Sequence, residues 1–275
     1  MIGQTRGEQA MGRPKGRLDG KVAIVTGAAS RAEGIGNGAA AAILFAREGA
    51  KVVLVNRSLD RAEALAATIR ESGGTALAVA ADAADEAGTA LMAQTALDHF
   101  GRIDILHNNV GIGAAGTPET VTMEAWERVF RINLTSALLS CRAVLPHMKA
   151  QGSGAIINVS SIAGMTGLSG SPGAVAYTTT KAGLQGFTLS IAADYAAHGI
   201  RANCIIVGTV NTPMVAHMGE EARERRRKGV PLQTEGTGWD VGHAAVYLAS
   251  DEARWVTGVM LPIDGGFLSV RAWPR

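Results

Sequence analysis

The chain has 275 residues, 47% of them hydrophobic and 18% charged, a balance that fits one well-buried domain and excludes disordered or collagen-like chains. A formal net charge of +2 is too small to mark a nucleic-acid surface, and Cys141 and Cys204, without C-x-x-C spacing, make neither a disulfide framework nor a metal site. No Cys/His cluster, no eighteen-residue apolar run and no signal-peptide core is present in the sequence, so a cytoplasmic protein with no metal, nucleic-acid or membrane partner is expected.

Residues 1–17 are polar and aperiodic and are expected to form a flexible arm before a single domain spanning 18–275. From Lys21, short β-branched runs alternate with longer alanine-rich amphipathic ones: VAIVT, GIGNGAAAAILFAREG, KVVLV, LDRAEALAATIRESG, TALAVAA. The alternation continues through a helix near 85–100, the run IDILHNN, a long helix within 123–150, AIINVSS, a helix carrying Tyr177, and IRANCIIVG. This βα order predicts an α/β fold, a Rossmann-type doubly wound parallel sheet of about seven strands with helices on both faces. Ligands of such sheets bind beyond the carboxyl ends of the strands, where every motif below falls. Only the polar stretch from about 213 to 240 breaks the order, and it reads as a lid. Within it Arg223, Arg225, Arg226, Arg227 and Lys228 alternate with Glu220, Glu221 and Glu224, the pattern of a solvated helix face.

Three segments carry chemistry. Thr26-Gly27-Ala28-Ala29-Ser30-Arg31-Ala32-Glu33-Gly34-Ile35-Gly36 joins the first strand to a helix, and Gly34, Gly36 and Ala39 meet the G-x-G-x-x-A form of a pyrophosphate turn. AIINVSS ends in two hydroxyls, Ser160 and Ser161. Tyr177-Thr-Thr-Thr-Lys181 puts a phenol and an ammonium one helical turn apart on one face. A nearby cation favours the phenolate, which prepares a tyrosine to exchange a proton with an alcohol or ketone. Each segment alone has a bland account, since glycine turns close any α/β unit and a hydroxyl pair can cap a helix. Their joint occurrence in this order does not.

Together they resemble the short-chain dehydrogenase/reductase family, from about Leu18 to Phe267. The resemblance implies a nicotinamide dinucleotide held by Gly27, Ser30, Arg31, Gly34, Ile35 and Gly36 at the pyrophosphate. Gly27 and Gly34 stand seven positions apart where the family has four, so the turn is enlarged. It further implies Asp82 and Ala83 at the adenine, and Val210 and Thr212 at the nicotinamide amide. Asn109, Val110 and Gly111, in Asn108-Asn109-Val110-Gly111, are similar to the family's N-N-A-G turn. The family's serine precedes an apolar-small-glycine segment, here Ile162-Ala163-Gly164, which selects Ser161 over Ser160. Asn133 in RINLTSALL matches the family's helix-four asparagine, and PIDGG its closing segment. Val207 replaces the proline of the family's N-x-x-x-P-G.

By this resemblance Tyr177 takes the substrate proton while hydride passes to or from the nicotinamide, and Ser161 donates to the substrate oxygen. Lys181 lowers the Tyr177 pKa and bonds the nicotinamide ribose, and Asn133 holds a water that relays protons from Lys181. At the end of KVVLVNRS, Asn56 stands where an aspartate would accept from a ribose 2′-OH, and Arg57, with Arg31, could pair a 2′-phosphate, although Glu33 opposes this. NADP(H) is therefore favoured, with NAD(H) as the alternative. The pocket expected from Ile162, Met165, Leu168, Val175, Val210, Met214 and Met218 suits a small to medium, largely apolar secondary alcohol or ketone, cyclic ones included. A 3-oxoacyl thioester reductase and a non-catalytic dinucleotide sensor are the alternatives. Enoyl reduction is disfavoured, because that branch separates its tyrosine and lysine by more than four positions. The resemblance also implies a homo-oligomer, a tetramer in most relatives, to which the C-terminal segment with Phe267 and Trp273 would contribute.

Overall fold

The computed structural model describes residues 16–30, 34–167, 173–215 and 218–270. The apolar runs form strands because only a sheet covered on both faces can bury residues pointing both ways. In β1 (Val22–Thr26), Ala23 and Val25 enter one core and Val22 and Ile24 the other. The chain continues through α1 (Asn37–Arg47), β2 (Lys51–Asn56), α2 (Leu59–Glu71), β3 (Thr75–Ala80), α3 (Glu86–Phe100) and β4 (Ile105–Asn108). Next come α4 (Met123–Phe130), α5 (Ser136–Gln151), β5 (Gly154–Ser161), α6 (Val175–Tyr195) and β6 (Ile200–Val207). β7 (Val210–Asn211), α7 (Glu220–Lys228), β8 (Gly236–Thr237), α8 (Gly238–Ala249) and β9 (Met260–Ile263) complete the order.

Seven parallel strands lie in the order β3-β2-β1-β4-β5-β6-β9, so the winding reverses between β1 and β4. α1, α2 and α8 cover one face, and α3, α5 and α6 the other. The doubly wound α/β fold expected from the alternating pattern is therefore the observed one. β7 and β8 form a separate parallel ribbon inside the polar stretch, which also holds α7.

Three local departures bear on the site. The long helix expected within 123–150 is interrupted by a π turn at Arg131–Thr135, a feature that often accompanies function. Val207, standing where the family has proline, continues the β6 ladder, in register with Ser161 on one side and Ile263 on the other. The arm expected over 1–17 is already held at Arg17, whose N–H donates to Glu48 Oε2 at 2.9 Å and whose Nε donates to Glu252 Oε1 at 3.0 Å. The rest of that arm, residues 1–15, lies outside the described residues. Among the described residues no helix is long and apolar enough to cross a membrane, and no group of His, Cys, Asp and Glu could hold a metal.

Candidate active site

Successive side chains alternate across a strand, so the two serines ending β5 face opposite ways. Ser160 Oγ donates to the Lys181 carbonyl at 2.7 Å and pins α6 to the sheet, a structural task. Ser161 Oγ accepts from the Ala163 N–H at 3.2 Å and lies beside the Tyr177 phenol. Tyr177 occupies the first turn of α6 and Lys181 the next. Lys181 is 4% exposed, its Nζ donating to the Val159 carbonyl at 2.7 Å and lying 5.7 Å from the centre of the Tyr177 ring. Burial brings the Lys181 ammonium down to about 8.

Tyr177 departs from expectation. Burial pushes its phenol above the ordinary tyrosine value, and only the Ser161 hydroxyl pulls it down. Lys181, which donates to the Val159 carbonyl and lies over the ring face, is not among the causes of that shift.

Asn133 joins this cluster from the π turn. Its Oδ1 accepts from the Ile112 N–H at 2.8 Å, and its Nδ2 donates to the Ile112 carbonyl at 2.9 Å and to Thr180 Oγ1 at 3.1 Å. Both amide donors are used, so the side chain fastens the segment after β4 to α6 and keeps only an Oδ1 lone pair for a water. A Cβ at Gly111 would come within 3.2 Å of Lys181 Nζ and 3.8 Å of Asn133 Oδ1, so the bare glycine backbone keeps this corner open. Beneath it a buried chain runs from Asn108 Nδ2 to Asn158 Oδ1 at 2.9 Å and from Asn158 Nδ2 to Thr188 Oγ1 at 2.9 Å, locking β4, β5 and α6 together.

At the switch between β1 and β4, two turns meet. Asn109 Nδ2 donates to the Gly27 carbonyl at 3.0 Å, and the Asn109 N–H donates to Thr26 Oγ1 at 3.3 Å. Gly27 has a φ of 63°, in the left-handed region, and a Cβ there would press on the Val110 backbone at 3.3 Å. Gly36 caps α1 without a side-chain bond, which leaves first-turn N–H groups available to an anion. A Cβ at Gly36 would lie 2.5 Å from Ser30 Oγ. Gly34 and Ile35 lie exposed at the rim, and Arg31 and Glu33 lie outside the described residues. Sequence reasoning missed Gly38, whose added Cβ would stand 2.4 Å from the Gly27 carbonyl oxygen and 2.5 Å from Asn109 Nδ2. Its signal was the second G-x-G, Gly36 to Gly38. Bare backbone and an open helix terminus fit a pyrophosphate.

Asn56 has structural partners of its own. Its Nδ2 donates to the Ala29 carbonyl at 2.7 Å and its Oδ1 accepts from the Ser58 N–H at 2.9 Å, so it braces the glycine turn. Arg57 is 54% exposed at its side chain, with Nη1 3.9 Å from Asp82 Oδ2, while Asp82 Oδ1 accepts from the Ala84 N–H at 2.9 Å. Ala83 is buried, so only its backbone can face a ligand. Arg57 and Asp82 border a cleft of about 660 Å³ closed by α4 and the π turn.

Of the expected substrate lining, Met165 and Met214 are exposed, Val175 is half-buried and Val210 is buried in β7. Thr212 follows it, half-buried. Ile162 is a correction: it packs in a small core with Cys204 and Ile206, and so backs the site instead of lining it. Leu168 lies outside the described residues, as does Trp273. The basic segment is not the uniformly solvated face expected, because Arg223 and Arg226 turn inward to Glu235.

A family model described as enoyl-(acyl carrier protein) reductase matches residues 27–268. A 2,5-dichloro-2,5-cyclohexadiene-1,4-diol dehydrogenase from Sphingobium indicum is 37% identical over 251 residues, spanning 91% of this chain and 97% of its own. A cis-4-hydroxycyclohexanecarboxylate dehydrogenase from Sinomonas cyclohexanicum is 39% identical, with the same 91% and 97% spans. A solved structure from Burkholderia xenovorans, described as a short-chain dehydrogenase/reductase, superposes with a TM-score of 0.88 at 39% identity, over 94% of this chain and 100% of that one. The chain belongs to the short-chain dehydrogenase/reductase family, as an enzyme that interconverts a secondary alcohol and a ketone with a nicotinamide dinucleotide.

Proposed function

We propose that the protein acts on a small to medium, largely apolar cyclic secondary alcohol or its ketone, with NADP(H) preferred to NAD(H). The convergence of Ser161, Tyr177 and Lys181 beside the open backbone of Gly111 carries the reading. The nicotinamide, when bound, supplies or accepts the hydride. Tyr177 exchanges the proton of the substrate hydroxyl through its phenol oxygen. Ser161 donates to the same substrate oxygen and stabilises the charge that grows there. Lys181, already brought down to about 8 by burial, is poised to hold the nicotinamide ribose and to favour the phenolate once its positive neighbour is in place. Asn133 is proposed to set the α6 register through Thr180.

Cyclic substrates are supported by the two relatives named for six-membered carbocycles, and by exposed Met165 and Met214, whose flexible thioethers adapt to ring edges. NADP(H) is supported by the half-free Arg57 and by an uncharged Asn56 in place of an aspartate that would repel a 2′-phosphate. The enoyl reaction in the family model's description is not favoured, because Tyr177 and Lys181 stand four positions apart. The 3-oxoacyl thioester alternative loses its basic-patch support, since the arginines of α7 are paired with glutamates.

The test follows NADPH and NADH absorbance with cyclic, aromatic and aliphatic ketones and an acetoacetyl thioester, with Tyr177→Phe as control. Turnover of cyclic ketones that the substitution abolishes supports the proposal. Turnover confined to the thioester overturns it. The homotetramer is checked separately by light scattering on a sizing column.

A further inference from the structure

We propose that Glu235 and Arg226 are positioning residues for the nicotinamide end of the site, acting through the backbone of Val210. This rests on the reading that Val210 and Thr212 hold the nicotinamide amide.

The glutamates of α7 pair with its arginines on the surface, as Arg225 does with Glu221 and Arg227 with Glu220. Glu235 differs. It comes from outside the helix, its side chain is 5% exposed, and it accepts from two arginines, Arg223 Nε at 3.1 Å and Arg226 Nε at 2.7 Å. Arg226 then uses its other arm, Nη2 donating to the Val210 carbonyl at 3.0 Å. One planar guanidinium thus bridges a buried carboxylate and a backbone carbonyl, a geometry lysine cannot reproduce.

The same few residues tie the lid to the rest of the site. Gly236, next to Glu235, pairs with Val210 in the β7–β8 ribbon, and its N–H donates to the Thr209 carbonyl at 3.1 Å. Thr237 and Asp240 form a reciprocal cap that starts α8. A Cβ at Gly238 would lie 3.0 Å from the Gly36 carbonyl, so α8 begins against the pyrophosphate turn. Glu235 therefore sits where the lid helix, the nicotinamide strand and the dinucleotide turn meet.

The chain just before this carboxylate takes a conformation uncommon for a non-glycine residue. Gln233 has a φ of 54°, the only non-glycine with positive φ among the described residues, two positions before Glu235. Such strain persists where surrounding structure enforces it, and it collects at clamps and switches. A carboxylate this buried is tolerated only when paired and hydrogen-bonded, so removing either partner loosens the hold of α7 on β7. Val210 then loses the anchor on its carbonyl, and the peptides beside Thr212 lose their fixed direction.

The experiment compares wild type with Glu235→Gln and Arg226→Lys, and with Arg225→Ala as a surface control on the same helix. Affinities are titrated for NADPH and for 2′,5′-ADP, which keeps the adenosine end and lacks the nicotinamide, and for NADH and AMP in parallel. Thermal midpoints are recorded for each. The proposal expects both clamp variants to weaken the dinucleotide about tenfold, the loss typical of a charge-assisted bond, and to leave the adenosine fragment within about twofold. Arg225→Ala should alter neither. Equal weakening of dinucleotide and fragment, or no weakening of either, overturns the clamp. Should Glu235→Gln not fold, Arg226→Lys, which keeps the charge, decides by the same ratio. A wild type that binds dinucleotide and fragment equally well overturns the Val210 and Thr212 reading and the clamp with it, whereas variants that retain a wild-type preference overturn the clamp alone.

Discussion

Lys181 Nζ lies 5.7 Å from the centre of the Tyr177 ring and is held there by the Val159 carbonyl at 2.7 Å. The ammonium is thus aimed by a strand it does not belong to. Burial acts on both groups and disfavours the charge of each.

That state has a spectroscopic consequence. The phenolate difference spectrum of wild type minus Tyr177→Phe should titrate above the ordinary tyrosine value in the free protein, and move down when oxidised dinucleotide is added. A midpoint that ignores the dinucleotide would show that Lys181 and the nicotinamide do not tune Tyr177. The same Tyr177→Phe change should lower kcat by about 10²–10⁴-fold, the usual worth of a positioned general acid-base.

Gly38 tests the dinucleotide cradle. Both atoms that a Cβ would strike belong to the two turns that hold each other, the Gly27 carbonyl and the Asn109 amide. Gly38→Ala should cost about 1–3 kcal/mol of stability, as overpacking does, and weaken dinucleotide binding more than Gly113→Ala, where a Cβ meets nothing within 4 Å. Chemical denaturation and dinucleotide titration measure the two effects.

Arg57 tests cofactor choice. Its guanidinium is half-exposed and only loosely paired to Asp82 at 3.9 Å, so it can turn to a 2′-phosphate. Arg57→Ala should raise KM for NADPH about tenfold or more and leave that for NADH within about twofold, as expected for a lost charge-assisted pair. A parallel rise in both would assign Arg57 to the adenosine at large.

His107 should add to the acid sensitivity of the fold. It is fully buried on β4 with neither ring nitrogen bonded, edge-on to Phe45 at 5.8 Å, and burial lowers it from 6.5 to about 4. Between those values the unfolded chain binds the proton and the folded chain does not. Stability is therefore kept above pH 6.5 and falls as pH drops toward 4, by roughly 3 kcal/mol. Denaturant midpoints across that range should show the loss in wild type and a flatter dependence in His107→Leu.

The strand and helix alternation, the glycine turn after β1 and the helical spacing of Tyr177 and Lys181 were legible in the sequence, because each depends on local spacing. A period of two or 3.6 residues settles which way neighbours point, and glycines mark where backbone must turn or approach closely. Tertiary structure alone decided the rest. Asn56 braces the Ala29 carbonyl, Ile162 faced Cys204 instead of substrate, and Arg226 left the solvated face of α7 for Glu235 and Val210. Burial also pushes the Tyr177 phenol up. Each outcome turns on a partner distant in sequence or on exclusion from water, and neither desolvation nor a long-range hydrogen bond leaves a periodic trace along the chain.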